Sequence, residues 1–210
     1  MRSLHMPGIA AILIAFSAFS LPSCRNNGNS VNSDTPIDKT APIVFDSIRK
    51  LKIDSQAMKI NALVNVKKTT ARKIPYPVYN PTDSIGFLIT EEDHHARISM
   101  NTHPDSNIVW PYFWIYDGEL ILIRLRKYQN DPEIRSASET VIYFDKGRIV
   151  YCNERKKMLE ESEIPGAVQN EPFVKSQRSY SEVEQEGLKY WSEVYNEMKK
   201  QKVLPEWIKF

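Results

Sequence analysis

Apolar and polar positions divide this chain into blocks with different periods. Ile9 to Leu21 is apolar and uncharged, and too short to cross a bilayer comfortably, which takes about 20 apolar residues. Arg25 to Lys39 holds one valine and one isoleucine among Asn, Ser, Asp and Gly, so it buries too little to offset its ordering entropy and reads as a tether. Val44, Ile48 and Leu51 then follow helical spacing, and Met58, Ala62 and Val66 resume it four apart. With Thr40 as N-cap and Pro42 in the first turn, the spacing predicts a helix over about 43–67, with a potential break at Asp54-Ser55. Pro75-Tyr76-Pro77-Val78-Tyr79-Asn80-Pro81 admits neither helix nor central strand and marks a change of architecture.

Beyond the prolines the period falls to two. Ile85, Phe87 and Ile89 alternate, the charged turn Glu91-Glu92-Asp93-His94-His95 follows, and Ala96, Ile98 and Met100 alternate again. Val109 to Tyr116 and Glu119 to Lys127 flank Asp117-Gly118, the favoured two-residue type I′ hairpin loop. An unbroken register sets Tyr116 against Glu119, Trp114 against Ile121, Tyr112 against Ile123 and Trp110 against Leu125, all on one side of the sheet. Arg124 and Arg126 fall on the other side, with Phe113 and Ile115. Thr140 to Phe144, Asp145-Lys146-Gly147 and Arg148 to Asn153 repeat the device with a loop one residue longer.

Glu154 to Gln177 reads as loop with a short helix. Ser181 and Glu184 make a capping box for a closing helix whose apolar stripe is Leu188, Trp191, Tyr195 and Met198. Lys199, Lys200 and Lys202 suit its end, Pro205 stops it, and Trp207 and Phe210 suggest a packed tail. The expected fold class is α+β: a curved antiparallel meander of about six strands, flanked by N-terminal and C-terminal helices.

Charge and cysteines narrow the function classes. The chain has 28 basic and 26 acidic residues, and removing residues 1–23 takes away Arg2 and leaves 27 against 26. Near-neutrality argues against nucleic acid as a partner. Between Ile43 and Ile74, however, eight lysines and arginines face Asp46 and Asp54, a basic face that sits either in solvent or on anionic head groups.

The first block has the layout of an export signal. Arg2 precedes the apolar run, and Leu21-Pro22-Ser23-Cys24 closes it with small residues before a cysteine. Those four residues resemble the lipobox of bacterial lipoproteins, with proline where a small residue is commoner. The resemblance covers only residues 1–24. It implies a signal peptide over 1–23, cleavage before Cys24, a diacylglycerol on its sulfur and an acylated amino terminus. Two or more acyl chains give stable anchoring. The domain organisation is then signal 1–23, lipidated cysteine and tether 24–39, and one domain over 40–210. In that family an aspartate after the cysteine retains the protein in the inner membrane. Arg25 stands there instead, so the resemblance implies the outer membrane, facing the periplasm. With Cys24 lipidated, Cys152 is alone, and its strand-like neighbours make it a buried, inert thiol. The two hairpins also resemble those of a loose group of uncharacterised envelope lipoproteins, which brings no activity with it.

Candidate chemistry is sparse. Gly86, Gly118, Gly147, Gly166 and Gly187 are too scattered for a phosphate-cradling loop, and HExxH, GxSxG and CxxC are absent, so no catalytic residue and no cofactor is expected. His94, His95 and His103 would ligate a metal if His103 folded back, although adjacent strand histidines point oppositely. Trp110, Tyr112, Trp114 and Tyr116 share a face; exposed, they would stack on sugar rings or a peptide, and buried they are core, which their apolar cross-strand partners favour. The leading expectation is a non-enzymatic binding module held to the membrane by lipid, its partner an envelope protein, glycan or apolar ligand. A carrier with a sheet-lined apolar cavity and a metal-assisted hydrolase are the alternatives.

Overall fold

The computed structural model describes residues 38–65, 70–77, 80–90, 92–102, 107–131 and 133–210. The signal stretch, Cys24, most of the tether, Val66, Glu91 and His103 lie outside the described residues. The fold is α+β: helix α1 (Ser47–Asn65), strands β1 (Thr70–Pro75), β2 (Ser84–Thr90), β3 (His95–Asn101), β4 (Asn107–Tyr116), β5 (Glu119–Asn130), β6 (Arg135–Asp145) and β7 (Arg148–Met158), a 3₁₀ turn (Pro165–Asn170), β8 (Val174–Lys175) and helix α2 (Tyr180–Lys200). The strands form one antiparallel sheet in sequence order, eight rather than about six. The two extra strands are the edges. β1 exposes every residue except Ile74 and so carries no alternation, its charges and Pro75 being edge protection. β8 has two residues.

The two hairpins are closer copies than their sequences suggest. Asp117 and Gly118 have φ of 53° and 78°, and Lys146 and Gly147 have φ of 51° and 74°, so both loops are two-residue turns with the left-handed pair that type I′ requires. Asp145 pairs with Arg148, which places it in the strand and makes the loops equal in length. Each hairpin then slips by one residue two pairs from its turn, at Trp114/Ile115 and at Tyr143/Phe144. The bulges turn Ile121 and Leu122, then Val150 and Tyr151, to one face in succession.

That face receives α1. Ile53, Ala57 and Ile60 pack on Trp114, Ile121, Leu122, Val141, Tyr143 and Val150. The predicted stripe is the outer one instead: Val44, Ile48, Leu51 and Met58 are 76%, 82%, 67% and 71% exposed. Polar residues on the inner flank decide the orientation. Asn61 Oδ1 accepts from Trp114 Nε1 at 3.1 Å and Arg97 Nη1 at 3.2 Å, and Asp54 holds Lys50 at 2.6 Å and takes the Tyr143 hydroxyl. Burial and that carboxylate push Tyr143 above its ordinary range. The helix runs unbroken through Asp54-Ser55. It starts later than Thr40 suggests, because residues 39–46 are a strap: Tyr180 N–H donates to the Ala41 carbonyl and Asp46 N–H to that of Val150. Asp46, whose side chain accepts the Arg49 N–H at 2.9 Å, caps the helix.

The other face holds the main core under α2. Val183, Trp191, Val194 and Met198 pack on residues including Phe87, Ile98, Phe113, Ile123 and Ile142, and the Phe113 and Trp191 rings stand 5.2 Å apart. At Gly187 an added Cβ would meet Ile142 Cδ1 at 2.8 Å, so the helix crosses the sheet on its glycine. The capping box is Ser179 with Glu182, two residues earlier than Ser181 and Glu184. The stripe rotates accordingly, leaving Leu188 and Tyr195 at the margin of the core. After α2 the tail returns to the first hairpin, where Lys209 N–H donates to the Gly118 carbonyl at 2.9 Å. Cys152 is a buried free thiol, and burial pushes it up to about 12.

Candidate functional site

The first bulge changes what the aromatic ladder faces. A one-residue slip reverses the parity of every pair beyond it. Trp114 therefore pairs with Leu122 rather than Ile121, Tyr112 with Arg124 rather than Ile123, and Trp110 with Arg126 rather than Leu125. Successive rungs continue this side by side: Arg126 pairs with Glu139 on β6, and Glu139 with Arg155 on β7. One row across four strands thus reads Trp110, Arg126, Glu139, Arg155.

Glu139 is 1% exposed, and three guanidiniums reach it. Arg155 donates through Nε at 2.7 Å and also through Nη2, and Arg126 Nε donates to the other oxygen at 3.1 Å. Arg124 Nε lies 3.1 Å from that same oxygen, but misaligned, so this buried N–H has no acceptor. Burial raises the Glu139 carboxyl, while the Arg155 hydrogen bond, the Arg124 charge and the Arg126 hydrogen bond outweigh it and hold it below the ordinary carboxylate range.

The three arginines are not equivalent. Arg155 is occupied: its Nη1 donates to the Gln169 carbonyl at 2.7 Å, and its plane lies 4.3 Å over Phe173. Arg124 and Arg126 are about a third exposed, and among the described residues their terminal nitrogens have no hydrogen-bond acceptor. Arg126 lies 5.6 Å over the Tyr112 ring, which fixes its plane. Three positive charges on one negative leave a surplus of two in a half-buried setting. Such a surplus is unfavourable until an anion joins it, and arginine's planar fork suits carboxylate and phosphate.

Arg126 opens into a groove of about 280 Å³ walled by Asn101, Trp110, Tyr112, Val168 and Gln169. A second groove of about 300 Å³ lies by Lys127, Tyr128, Lys156 and Tyr190. Its Lys127 pairs with Glu186, and burial, then the Arg178 charge, push that ammonium below its usual range.

The ladder is divided between the two settings. Trp114 is buried under α1, and Tyr116 is half-buried against His95 at 4.1 Å, while Trp110 and Tyr112 line the groove. His94 and His95 go to different neighbours: His94 stacks on Trp207 at 5.2 Å, and His95 is buried with Nδ1 lacking a partner. Among the described residues no three His, Cys, Asp or Glu side chains group as metal ligands. An unbroken hairpin register turns Arg124 and Arg126 away from Trp110 and Tyr112, so the sequence alone does not bring these four groups together; the slip at Trp114/Ile115 does. A signal that could have found Glu139 is a lone acid in the otherwise apolar and small run Ser136 to Phe144.

No family model matches the sequence, and neither the curated proteins nor the solved structures include a match.

Proposed function

We propose that the chain is a membrane-anchored bacterial envelope lipoprotein whose body is a non-enzymatic binding module, taking an acidic saccharide in the groove of Trp110, Tyr112 and Arg126. The observation that carries this reading is the pair Arg124 and Arg126. Arg126 is hydrogen-bonded to a buried carboxylate and Arg124 is ion-paired with it at 3.1 Å, yet their terminal nitrogens are unclaimed beside two aromatic rings. The arginines supply the contact for a carboxylate or phosphate group. Trp110 and Tyr112 supply flat apolar area for a sugar ring, the few-polar, mostly apolar makeup of a small-molecule site. Leu21-Pro22-Ser23-Cys24 supports lipid as the attachment, and among the described residues no helix is long and apolar enough to cross a membrane. In this reading the body faces the periplasm from the outer membrane.

Equilibrium dialysis of the purified protein against galacturonate oligomers, a sugar phosphate and neutral galactose oligomers tests the module. The reading predicts retention of the acidic ligands, lost in Arg126→Ala and weakened in Trp110→Ala. Equal retention of neutral and acidic oligomers, or none of either, contradicts it. The anchor is tested separately: Cys24→Ser abolishes incorporation of labelled fatty acid, and unchanged labelling sinks the lipid assignment.

A further inference from the structure

We propose that the outward face of α1 lies on the surface of the membrane that holds the lipid anchor, an inference that rests on the anchored reading above. The face is an apolar stripe, exposed among the described residues. Ile48, Leu51 and Met58 are each more than two-thirds exposed, and exposed Ala62 extends the line at its C-terminal end. Their spacing of three, four and seven keeps them on one side, opposite Ile53, Ala57 and Ile60. Single exposed apolar residues are ordinary, whereas a contiguous line of them marks a contact surface.

Charge and chain length choose the occupant. Between Ser47 and Asn65 stand Arg49, Lys50, Lys52 and Lys59 against Asp54. Arg49 and Lys50 are engaged with Asp46, Asp145 and Asp54, and the exposed Lys59 reaches the Tyr116 hydroxyl at 3.5 Å, while Lys52 is exposed beside the stripe. With its inner apolar line already covered by the sheet, the outer one beside lysine suits the plane of an interface, its apolar residues among acyl chains and its ammonium groups on anionic phosphates. Thirteen residues separate Cys24 from Asp38, and a random-coil tether of that length, as its composition implies, would span about 20 Å. The domain is therefore held close enough to the bilayer for this face to meet it repeatedly. A second copy would have to bury lysines against lysines around the stripe, which charge disfavours.

The test uses the full lipidated protein reconstituted in vesicles of phosphatidylethanolamine and phosphatidylglycerol. Ile48→Cys, Leu51→Cys and Met58→Cys are each labelled with a fluorophore, and Lys199→Cys on α2 serves as the water-facing reference. Doxyl-labelled lipid is expected to quench the three α1 probes several-fold more than the reference, and iodide several-fold less. Lys52→Glu with Lys59→Glu reduces the lipid quenching. Probes that behave like the reference overturn the docking. Probes shielded from iodide but untouched by doxyl lipid overturn it in favour of a second copy. Protein that fails to float with the vesicles overturns the anchor, and the docking with it, so the two failures are distinguishable.

Discussion

Two glycines show how much one residue's surroundings decide. Gly118 and Gly147 occupy the same turn position with nearly the same φ, so alanine at either incurs the left-handed penalty of about 1–2 kcal/mol. At Gly147 nothing lies within 4 Å of the added Cβ, whereas at Gly118 it would stand 2.3 Å from the Trp207 carbonyl oxygen. Gly147→Ala should therefore cost only that penalty. Gly118→Ala should cost clearly more in a urea midpoint and also release the C-terminal tail. Equal midpoints would mean the tail does not pack on the hairpin. Glu139 makes a sharper case, since its removal leaves Arg124, Arg126 and Arg155 facing one another. Glu139→Gln should destabilise by about 3–5 kcal/mol, the range for breaking a buried ion pair from one side. The pH dependence has a fixed sign. The folded carboxyl lies below its ordinary value of 4.5, so its contribution is complete above that value and is lost as pH falls through the folded one. The wild type should lose stability on acidification below about pH 4.5, and Glu139→Gln should lose less over that window. Parallel acid limbs would show that Glu139 is not held in its charged form.

Among the elements, α1 carries the clearest lesson. Its sequence has two apolar lines on opposite sides, and spacing alone does not say which is inside. The longer line, through Ile48, Leu51 and Met58, is outside, and the shorter one through Ile53 is inside, because Asp54 and Asn61 find Tyr143, Trp114 and Arg97 only in that orientation. Ile53→Ala should accordingly cost about 2–4 kcal/mol. Ile48→Ala should fall within about 0.5 kcal/mol of wild type. The reverse order in thermal melts would contradict the orientation. The hairpins are legible from Asp117-Gly118 and from Asp145-Lys146-Gly147, although the second reads as a loop one residue longer than it is, because Asp145 pairs with Arg148 in the strand. The bulges two pairs beyond are not legible, because a slip is set by what packs over the strand. That omission hid the candidate site: the ladder Trp110 to Tyr116 was visible as one face, while its partners Arg124 and Arg126 were assigned to the other. The edge strands escaped for a different reason, their residues being mostly exposed or too few to show a period.

Across the whole molecule, helices divide the work of covering the sheet. α2 closes one face over a large apolar core, and α1 closes part of the other over the two hairpins. The part α1 leaves uncovered, between it and the turn at Pro165–Asn170, is where Trp110 and Arg126 reach solvent, at one end of the row that runs on through the buried Glu139 to Arg155. A binding site beside the cover rather than beneath it needs no opening motion, so ligand should enter without unfolding either helix. The central claim is that Arg126, which lines this groove, and Arg124, the cross-strand neighbour of the groove's Tyr112, are the anion contacts, while Arg155 is a strut. Side-chain NMR of the arginine Nε–H groups during titration with galacturonate oligomer separates the three. The account predicts that the Arg124 and Arg126 signals shift and saturate together, that Arg155 moves least, and that neutral galactose oligomer moves none of them. Saturable shifts confined to Arg155, or identical shifts with the neutral oligomer, would contradict it.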